Sequence, residues 1–370
     1  VLRHQFGNPS AQYPYGRESA ALVDRCRAAV AQGLGCRPEQ LFFTSCGTES
    51  DNWALKATAE AYSEKGRHII TTRIEHHAIL HTCEYLEKRG FDITYLEVDR
   101  DGLVSPEALE AAIRPDTILV SIMFANHEIG TVEPVAALGA VAKRHGVLFH
   151  TDAVQAFGQL PINVDEMNID MLSASGHKIN GPKGIGFLYI RSGLKLQSFV
   201  HGGAQERNRR AGTENVPGIV GLEAAVKRAV RILDEKTARK LFLRDYLIRR
   251  IEEEIPYCSL NGHRTSRLPG NVNFSFRFIE GESVLIMLDM KGICASSGSA
   301  CTSGSVDPSH VLLAIGRNQE EAHGSLRLTL SEENTQEELD FVVEQLKQIV
   351  QKLRDMSQLY EAFTRKNGGK

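Results

Sequence analysis

The segment Ser173-Ala-Ser-Gly-His-Lys178, continued as Gly181-Pro-Lys-Gly-Ile-Gly186, ends one apolar run and leads into another. A lysine behind a small, hydroxyl-rich turn can form a Schiff base. Upstream, His150-Thr-Asp152-Ala-Val-Gln155 closes a second apolar run with an aspartate that can pair with a ring nitrogen. Alone, Lys178 reads as one more solvated surface lysine. Together, Lys178 and Asp152 supply what pyridoxal phosphate requires of a protein: an amine for its aldehyde and a carboxylate for its ring.

Working outward, short apolar runs at 41–45, 68–72, 93–98, 117–123, 147–151, 171–174 and 186–190 read as strands. Helical spacing fills 20–34, 49–65, 78–89, 106–113 and 134–145. This β-α alternation predicts an α/β fold with a mainly parallel, seven-stranded sheet covered by helices. Ligands of such sheets bind beyond the carboxyl ends of the strands. Cys46-Gly47-Thr48, His76, Asn126, Asp152 and Lys178 all fall at such ends. A helical pattern from 216 to about 255, stopped by Pro256, leads to a different region with strands at 271–276 and 325–330 and helices at 282–290 and 335–356. In the last, Leu339, Val342, Val343, Leu346, Ile349, Val350 and Leu353 share one face, which core packing explains better than partner binding. At 370 residues two domains are expected, a large one over 1–233 and a smaller α+β one over 234–370.

Hydrophobic content of 42%, charged content of 24% and a formal charge of −3 with both signs interspersed point away from a nucleic-acid surface or a membrane anchor. No apolar run reaches the roughly 20 residues that span a bilayer, and the N-terminus lacks a secretory apolar stretch. A cytoplasmic enzyme is the expectation. Seven cysteines without a C-x-x-C pair argue against a disulfide framework or structural zinc, and most read as small buried hydrophobes.

Cys46-Gly-Thr-Glu-Ser50, between a strand and a helix, reads as a phosphate seat on backbone N–H groups with Thr48 adding a hydroxyl; it also reads as an ordinary N-cap at Thr48. His77 and His81 lie one turn apart, but no third ligand is obvious and no metal is expected. Ala295-Ser-Ser-Gly-Ser-Ala-Cys301-Thr-Ser-Gly-Ser305 surrounds one thiol with small residues, as a presented nucleophile would be. Cys294, beside Ile293, reads instead as a buried structural thiol. Arg327 is a charge within an apolar strand: alternation would turn it to solvent, whereas function would make it a carboxylate clamp. In the basic stretch 205–215, Thr213 is the one candidate phosphate ligand.

These residues resemble the pyridoxal phosphate-dependent cysteine desulfurases of the NifS/IscS type, within the class-V aminotransferases, over nearly the whole chain. The matching signatures are Phe6-Gly-Asn-Pro-Ser10, Thr44-Ser-Cys-Gly-Thr-Glu-Ser50, Glu75-His76, Ala125-Asn126, His150-Thr-Asp-Ala-Val-Gln155 and Ser175-Gly-His-Lys178. They continue with Arg210-Ala-Gly-Thr-Glu-Asn215, Ser297-Gly-Ser-Ala-Cys-Thr-Ser303 and Ser325-Leu-Arg-Leu328. The Cys301 segment is similar to the long-loop subgroup. Three departures stand out. The chain starts after the Leu-Asp-Asn-Ala-Ala-Thr-Thr-like strand with which family members usually begin, His127 replaces a second asparagine, and Tyr13 stands where a histidine is common.

The resemblance implies a transferase of fold type I and a homodimer with active sites at the subunit interface. It implies that Lys178 carries the Schiff base, Asp152 pairs with the ring nitrogen, Gln155 bonds the ring hydroxyl and His76 stacks on the ring. Gly47, Thr48, Ser175 and His177 would hold the phosphate, with Thr213 reaching in from the other subunit. Asn126 and Arg327 would hold the carboxylate of L-cysteine, and Cys301 would take its sulfur for an acceptor such as an iron–sulfur scaffold protein. An aminotransferase or selenocysteine lyase would need the same lysine and aspartate but no loop thiol. A silent assembly scaffold would need neither.

Overall fold

The computed structural model describes residues 1–297 and 307–367; Cys301 and its neighbours from 298 to 306 lie outside the described residues. The chain forms two compact units. The first comprises Val1–Glu97, Val104–Ala125 and Glu133–Leu233; the second comprises Val98–Leu103, Asn126–Val132 and Asp234–Lys370.

In the first unit the order is α1 (Pro14–Gln32), β1 (Leu41–Thr44), α2 (Gly47–Tyr62), β2 (His68–Thr72), α3 (His77–Glu87), β3 (Asp92–Leu96) and α4 (Pro106–Ala112). It continues with β4 (Thr117–Ser121), α5 (Val135–Arg144), β5 (Leu148–Asp152), β6 (Met171–Ser175), β7 (Gly186–Ile190), the single turn α6 (Gln205–Asn208) and α7 (Val216–Arg231). All seven expected strands form and join one sheet in the order β1-β7-β6-β5-β4-β2-β3. Strands β2 to β6 run parallel, and β7 lies antiparallel between β6 and β1. The α/β class with a mainly parallel sheet is therefore borne out. The strands β1, β2, β4, β6 and β7 are buried along their whole length, so they read as continuous apolar or small-residue runs rather than alternating ones. Helix α2 packs on this sheet through Trp53, Ala54, Leu55 and Ala57, in a core with Phe42, Ile69, Leu119, Met171 and Leu188.

The second unit holds α8 (Leu233–Glu254), β8 (Cys258–Leu260), β9 (Asn271–Phe276), α9 (Gly281–Asp289), α10 (His310–Ala314), α11 (Gln319–His323), β10 (Ser325–Thr329), α12 (Gln336–Asp355) and α13 (Gln358–Asn367). Its antiparallel sheet runs β10-β9-β8. The apolar face of α12 buries Leu339, Val343, Leu346, Ile349 and Val350 against Val272, Phe274, Leu326 and Leu328. That stripe is core, as its helical spacing suggested. Thr335 caps α12, bonding the Glu338 N–H while the Glu338 side chain returns to the Thr335 N–H.

Two of the differences from the sequence reading have a clear physical cause. Helix α1 begins at Pro14 rather than 20, because proline is preorganised for the first helical position. The pattern over 216–255 is two helices, since Ile232 (φ −107°, ψ 15°) leaves the helical region between α7 and α8. Apolar periodicity does not register a break of one residue. Leu346→Ala, which empties a fully buried site in the second core, should cost about 2–5 kcal/mol in urea unfolding; a loss under about 1 kcal/mol would place Leu346 outside that core.

Candidate active site

In the first unit, four strand ends point the same way and deliver polar groups. After β1, α2 starts at Gly47 with Cys46 as an N-cap that contributes no side-chain hydrogen bond. A helix N-terminus leaves backbone N–H groups without intrahelical partners and favours an anion. A Cβ on Gly47 would lie 2.5 Å from Val154 Cγ2 and 3.7 Å from Ser175 Cβ. Glycine thus lets the first turn of α2 close on the segments that follow β5 and β6. Thr48, at the second helical position, is exposed, and the expectation that Thr48 caps the helix is corrected: the cap is Cys46. After β6, Ser175 Oγ lies 2.9 Å from His177 Nδ1, and the 3-10 turn Gly176–Ile179 leaves His177 and Lys178 exposed. Asn180, left-handed at φ 63°, ends that turn.

Asp152 closes β5 and is 7% exposed, with Oδ1 accepting the Val154 N–H at 2.8 Å. Burial pushes its carboxyl up to about 6, against the pull of the Val154 N–H and the Lys178 charge. Gln155, half-buried, follows on the same turn. His76 is the N-cap of α3: its Nδ1 accepts the Ala78 N–H at 3.1 Å, which fixes the ring by its own backbone. Thr213 is exposed and lines a cavity of about 90 Å³ with Ser45, Gly184, Arg210 and Gly212. On α3 the His77 and His81 rings are 5.1 Å apart, and among the described residues no cluster of three metal-ligating side chains forms.

The donor set suits pyridoxal phosphate. A buried carboxylate answers a ring nitrogen, an exposed lysine on a tight turn answers an aldehyde, and a glycine-opened helix start with Ser175 and His177 answers a phosphate.

The second unit gathers the other expected residues. Asn126 is fully buried; its Oδ1 accepts the N–H groups of Glu128 and Ile129, both at 2.9 Å. Arg327, opposite Asn273 in the β10–β9 ladder, is half-buried rather than turned to solvent. One guanidinium nitrogen donates to His127 O at 2.7 Å, while Nε is buried with no partner among the described residues. A buried unpaired donor on a cation is costly unless an anion meets it. The Ser296 and Arg327 backbones bond each other, at 3.0 and 2.6 Å. Glu128, bonded by Ser309 Oγ at 2.5 Å, is pushed up to about 7 by burial, against Ser309 and Arg327.

Sequence reasoning missed a buried polar belt beneath Asp152. Asp51 on α2 is 1% exposed, its Oδ1 3.8 Å from His150 Nε2 and with no hydrogen-bond partner among the described residues. Burial and the Asp152 charge push Asp51 well above the usual carboxylate range. His150 sits between Ser121 Oγ (2.9 Å) and Ser173 Oγ (3.0 Å), and burial pushes it down to about 3, so it is neutral. Glu75, also fully buried, accepts from Thr72 and Met123 and is raised by burial. Asp51 falls in helical register with Leu55 and Thr58 on the buried stripe of α2, and an acid in that register was the available signal. The cysteine expectation is corrected as well. Cys294 is exposed, and of the six described cysteines only Cys26 and Cys83 are buried. Ile293 is buried but Cys294 follows it outside any helix or strand, so neighbouring apolarity did not carry over.

The class-V aminotransferase family pattern matches residues 1–342. The cysteine desulfurase IscS of Methanosarcina thermophila is 55% identical over 97% of this chain and 88% of its own length. That of Dictyoglomus turgidum is 51% identical over 96% and 90%. A solved structure described as a NifS-like protein superposes with a TM-score of 0.89 at 38% identity, covering 95% of this chain and 93% of that one.

Asp152 also sets a pH dependence. An acid whose folded pKa lies above its unfolded 3.8 binds its proton more tightly in the fold. Its contribution to stability is therefore full below about 4 and is lost as pH rises through about 6. Thermal unfolding of cofactor-free protein should show a smaller loss across that interval in Asp152→Asn than in the parent; parallel curves would refute the assignment.

Proposed function

Because the chain belongs to the class-V aminotransferase family and is a pyridoxal phosphate-dependent cysteine desulfurase, we propose that Lys178 and Asp152 hold the cofactor, Asn126 and Arg327 hold the substrate, and Cys301 receives the sulfur. The observation that carries this division is the buried Asp152 carboxylate acted on by the Lys178 charge. When bound, the cofactor supplies an electron sink for the carbon framework of the amino acid. Asp152 holds the proton of the ring nitrogen, and its burial keeps water from competing for that proton. Lys178 holds the cofactor through Nζ and, once released, moves a proton at the same atom. His76, its ring fixed as the α3 cap, stacks on the cofactor, and Gln155 bonds its ring hydroxyl. Gly47, Thr48, Ser175 and His177 seat the phosphate, and Thr213 reaches the phosphate of a second copy in a homodimer.

The Nε of Arg327, buried with no partner among the described residues, suits the carboxylate of L-cysteine, with Asn126 as its second holder. A solved relative, 37% identical over 90% of this chain with a TM-score of 0.75, is described as bound to cysteine. The thiolate of Cys301 attacks the substrate sulfur, forming the S–S bond of a persulfide as the carbon–sulfur bond breaks; the electron pair of that bond passes to the three-carbon skeleton, which takes up protons and leaves as L-alanine. The persulfide passes to an acceptor such as an iron–sulfur scaffold protein in the cytoplasm. No helix among the described residues is long and apolar enough to cross a membrane.

Holoenzyme given L-cysteine and a thiol reductant should release alanine and sulfide in equal amounts; a keto acid without sulfide would instead mark transamination. Cys301→Ala should keep the cofactor absorption and lower sulfide release by about 10²-fold or more. Undiminished sulfide from that variant would overturn the nucleophile.

A further inference from the structure

We propose that Arg210 is a positioning residue for the cofactor phosphate, acting through Glu49: it keeps that carboxylate paired so that the first turn of α2 can receive a second anion. The inference rests on the reading of the α2 N-terminus as the phosphate seat.

Glu49 occupies the third position of α2, directly after Gly47 and Thr48. Arg210 grips it from both sides, Nε to Oε1 at 2.8 Å and a terminal nitrogen to Oε2 at 3.0 Å. Oε2 also accepts the Ser45 N–H at 2.8 Å. The pair is largely enclosed, with side-chain exposures of 23% for Arg210 and 11% for Glu49. Burial alone would raise the Glu49 carboxyl, but the Arg210 and Ser45 bonds hold it below the usual range, so it stays ionised. A carboxylate in a first helical turn is ordinarily favourable. Here it occupies the same positive helix end that a phosphate dianion would use, and two unpaired anions there repel in a poorly solvated place. Pairing with Arg210 removes that repulsion while leaving the Ser45 bond in place.

The approach of Arg210 is imposed by the fold. Glu206, Arg207 and Asn208 are left-handed in succession, at φ 46°, 58° and 62°. Such a turn persists only when its surroundings over-determine it. Glu206 is clamped by Arg27 at 2.7 and 2.6 Å and by the Phe43 N–H at 2.9 Å. Arg207 bonds Leu41 O at 2.7 Å. Both anchors lie on β1, the strand that feeds α2, so Arg210 and Glu49 are referenced to the same piece of backbone.

Cofactor-free protein is titrated with pyridoxal phosphate and with pyridoxal, which lacks the phosphate, following absorbance and fluorescence. Wild type should prefer the phosphorylated form; equal affinity would refute the phosphate seat itself, independently of Arg210. Arg210→Gln should weaken pyridoxal phosphate by about tenfold or more while leaving pyridoxal within about twofold. Adding Glu49→Gln, which removes the charge but keeps an acceptor for Ser45, should recover affinity to within about threefold of wild type. Unchanged phosphate affinity in Arg210→Gln, equal losses for both ligands, or no recovery in the double variant would each overturn the proposal. Should Arg210→Gln lose the native circular dichroism spectrum, Arg210→Lys decides: retained charge with phosphate-selective affinity within about threefold supports the proposal, and a larger loss shared by pyridoxal refutes it.

Discussion

A carboxylate held out of water at the end of a central strand is the constraint on which the first unit depends. Asp152 is charged only at a cost, and its surroundings are arranged around that cost. One oxygen is tied to the Val154 N–H, the Lys178 charge acts on it, and the neighbouring acid Asp51 is driven toward its neutral form. A parallel sheet is suited to this, because its strands β5 and β6 are buried and can carry polar residues only where partners are supplied. His150 and Ser173 do so across the register that pairs His150 with Met171 and Asp152 with Ser173. Ser173 and Ser175 are small because α2 lies on their face of the sheet, with Asp51 against Ser173 and Gly47 beside Ser175.

Much of this architecture was legible because its signals are local. A run of four or five buried residues bounded by glycine or a charge is enough to place β2, β4 or β7, and seven such runs alternating with helical spacing fix the fold class. What stayed hidden depends on distance. Nothing near residue 51 reveals that its carboxyl meets Ser173, and nothing near residue 49 reveals a guanidinium delivered from residue 210. The chain also enters the second unit over Val98–Leu103 and Asn126–Val132 before joining it at Asp234. These entries are too short to alter the alternation of strands and helices, although one of them carries Asn126. The short strand β8 escaped for the same reason, its three residues being only half-buried.

The second unit satisfies its polar groups differently. Its sheet buries Asn261, Asn271, Asn273 and Ser275, and each finds a side-chain or backbone partner: Asn261 bonds Asn273 and Ser275, while Asn271 and Asn273 both donate to Glu128 O. Amides suit that place because they satisfy a buried backbone without bringing charge. The network also takes guanidinium donors, Arg267 bonding Asn271 Oδ1 at 3.0 Å and Asn261 O, and Arg317 bonding Asn261 Oδ1 at 2.7 Å; Arg327 on β10 differs from both. Its Nε is buried with no partner among the described residues, while a terminal nitrogen donates to His127 O. In the proposed function that Nε is the donor offered to the substrate carboxylate.

The left-handed turn at 206–208 extends the same logic from charge to backbone. Each non-glycine residue in that region costs about 1–3 kcal/mol unless its contacts recover the difference. The contacts are unusually directional for an edge strand: a carboxylate takes the Phe43 N–H and a guanidinium takes Leu41 O, as a neighbouring strand would. The exposed edge of β1 is thereby covered by side chains instead of by another strand, which removes a site for wrong pairing. The arrangement also explains why Arg27 is buried on α1. Without its bidentate bond, the Glu206 carboxylate would be an unpaired anion beside the strand that leads into the phosphate seat.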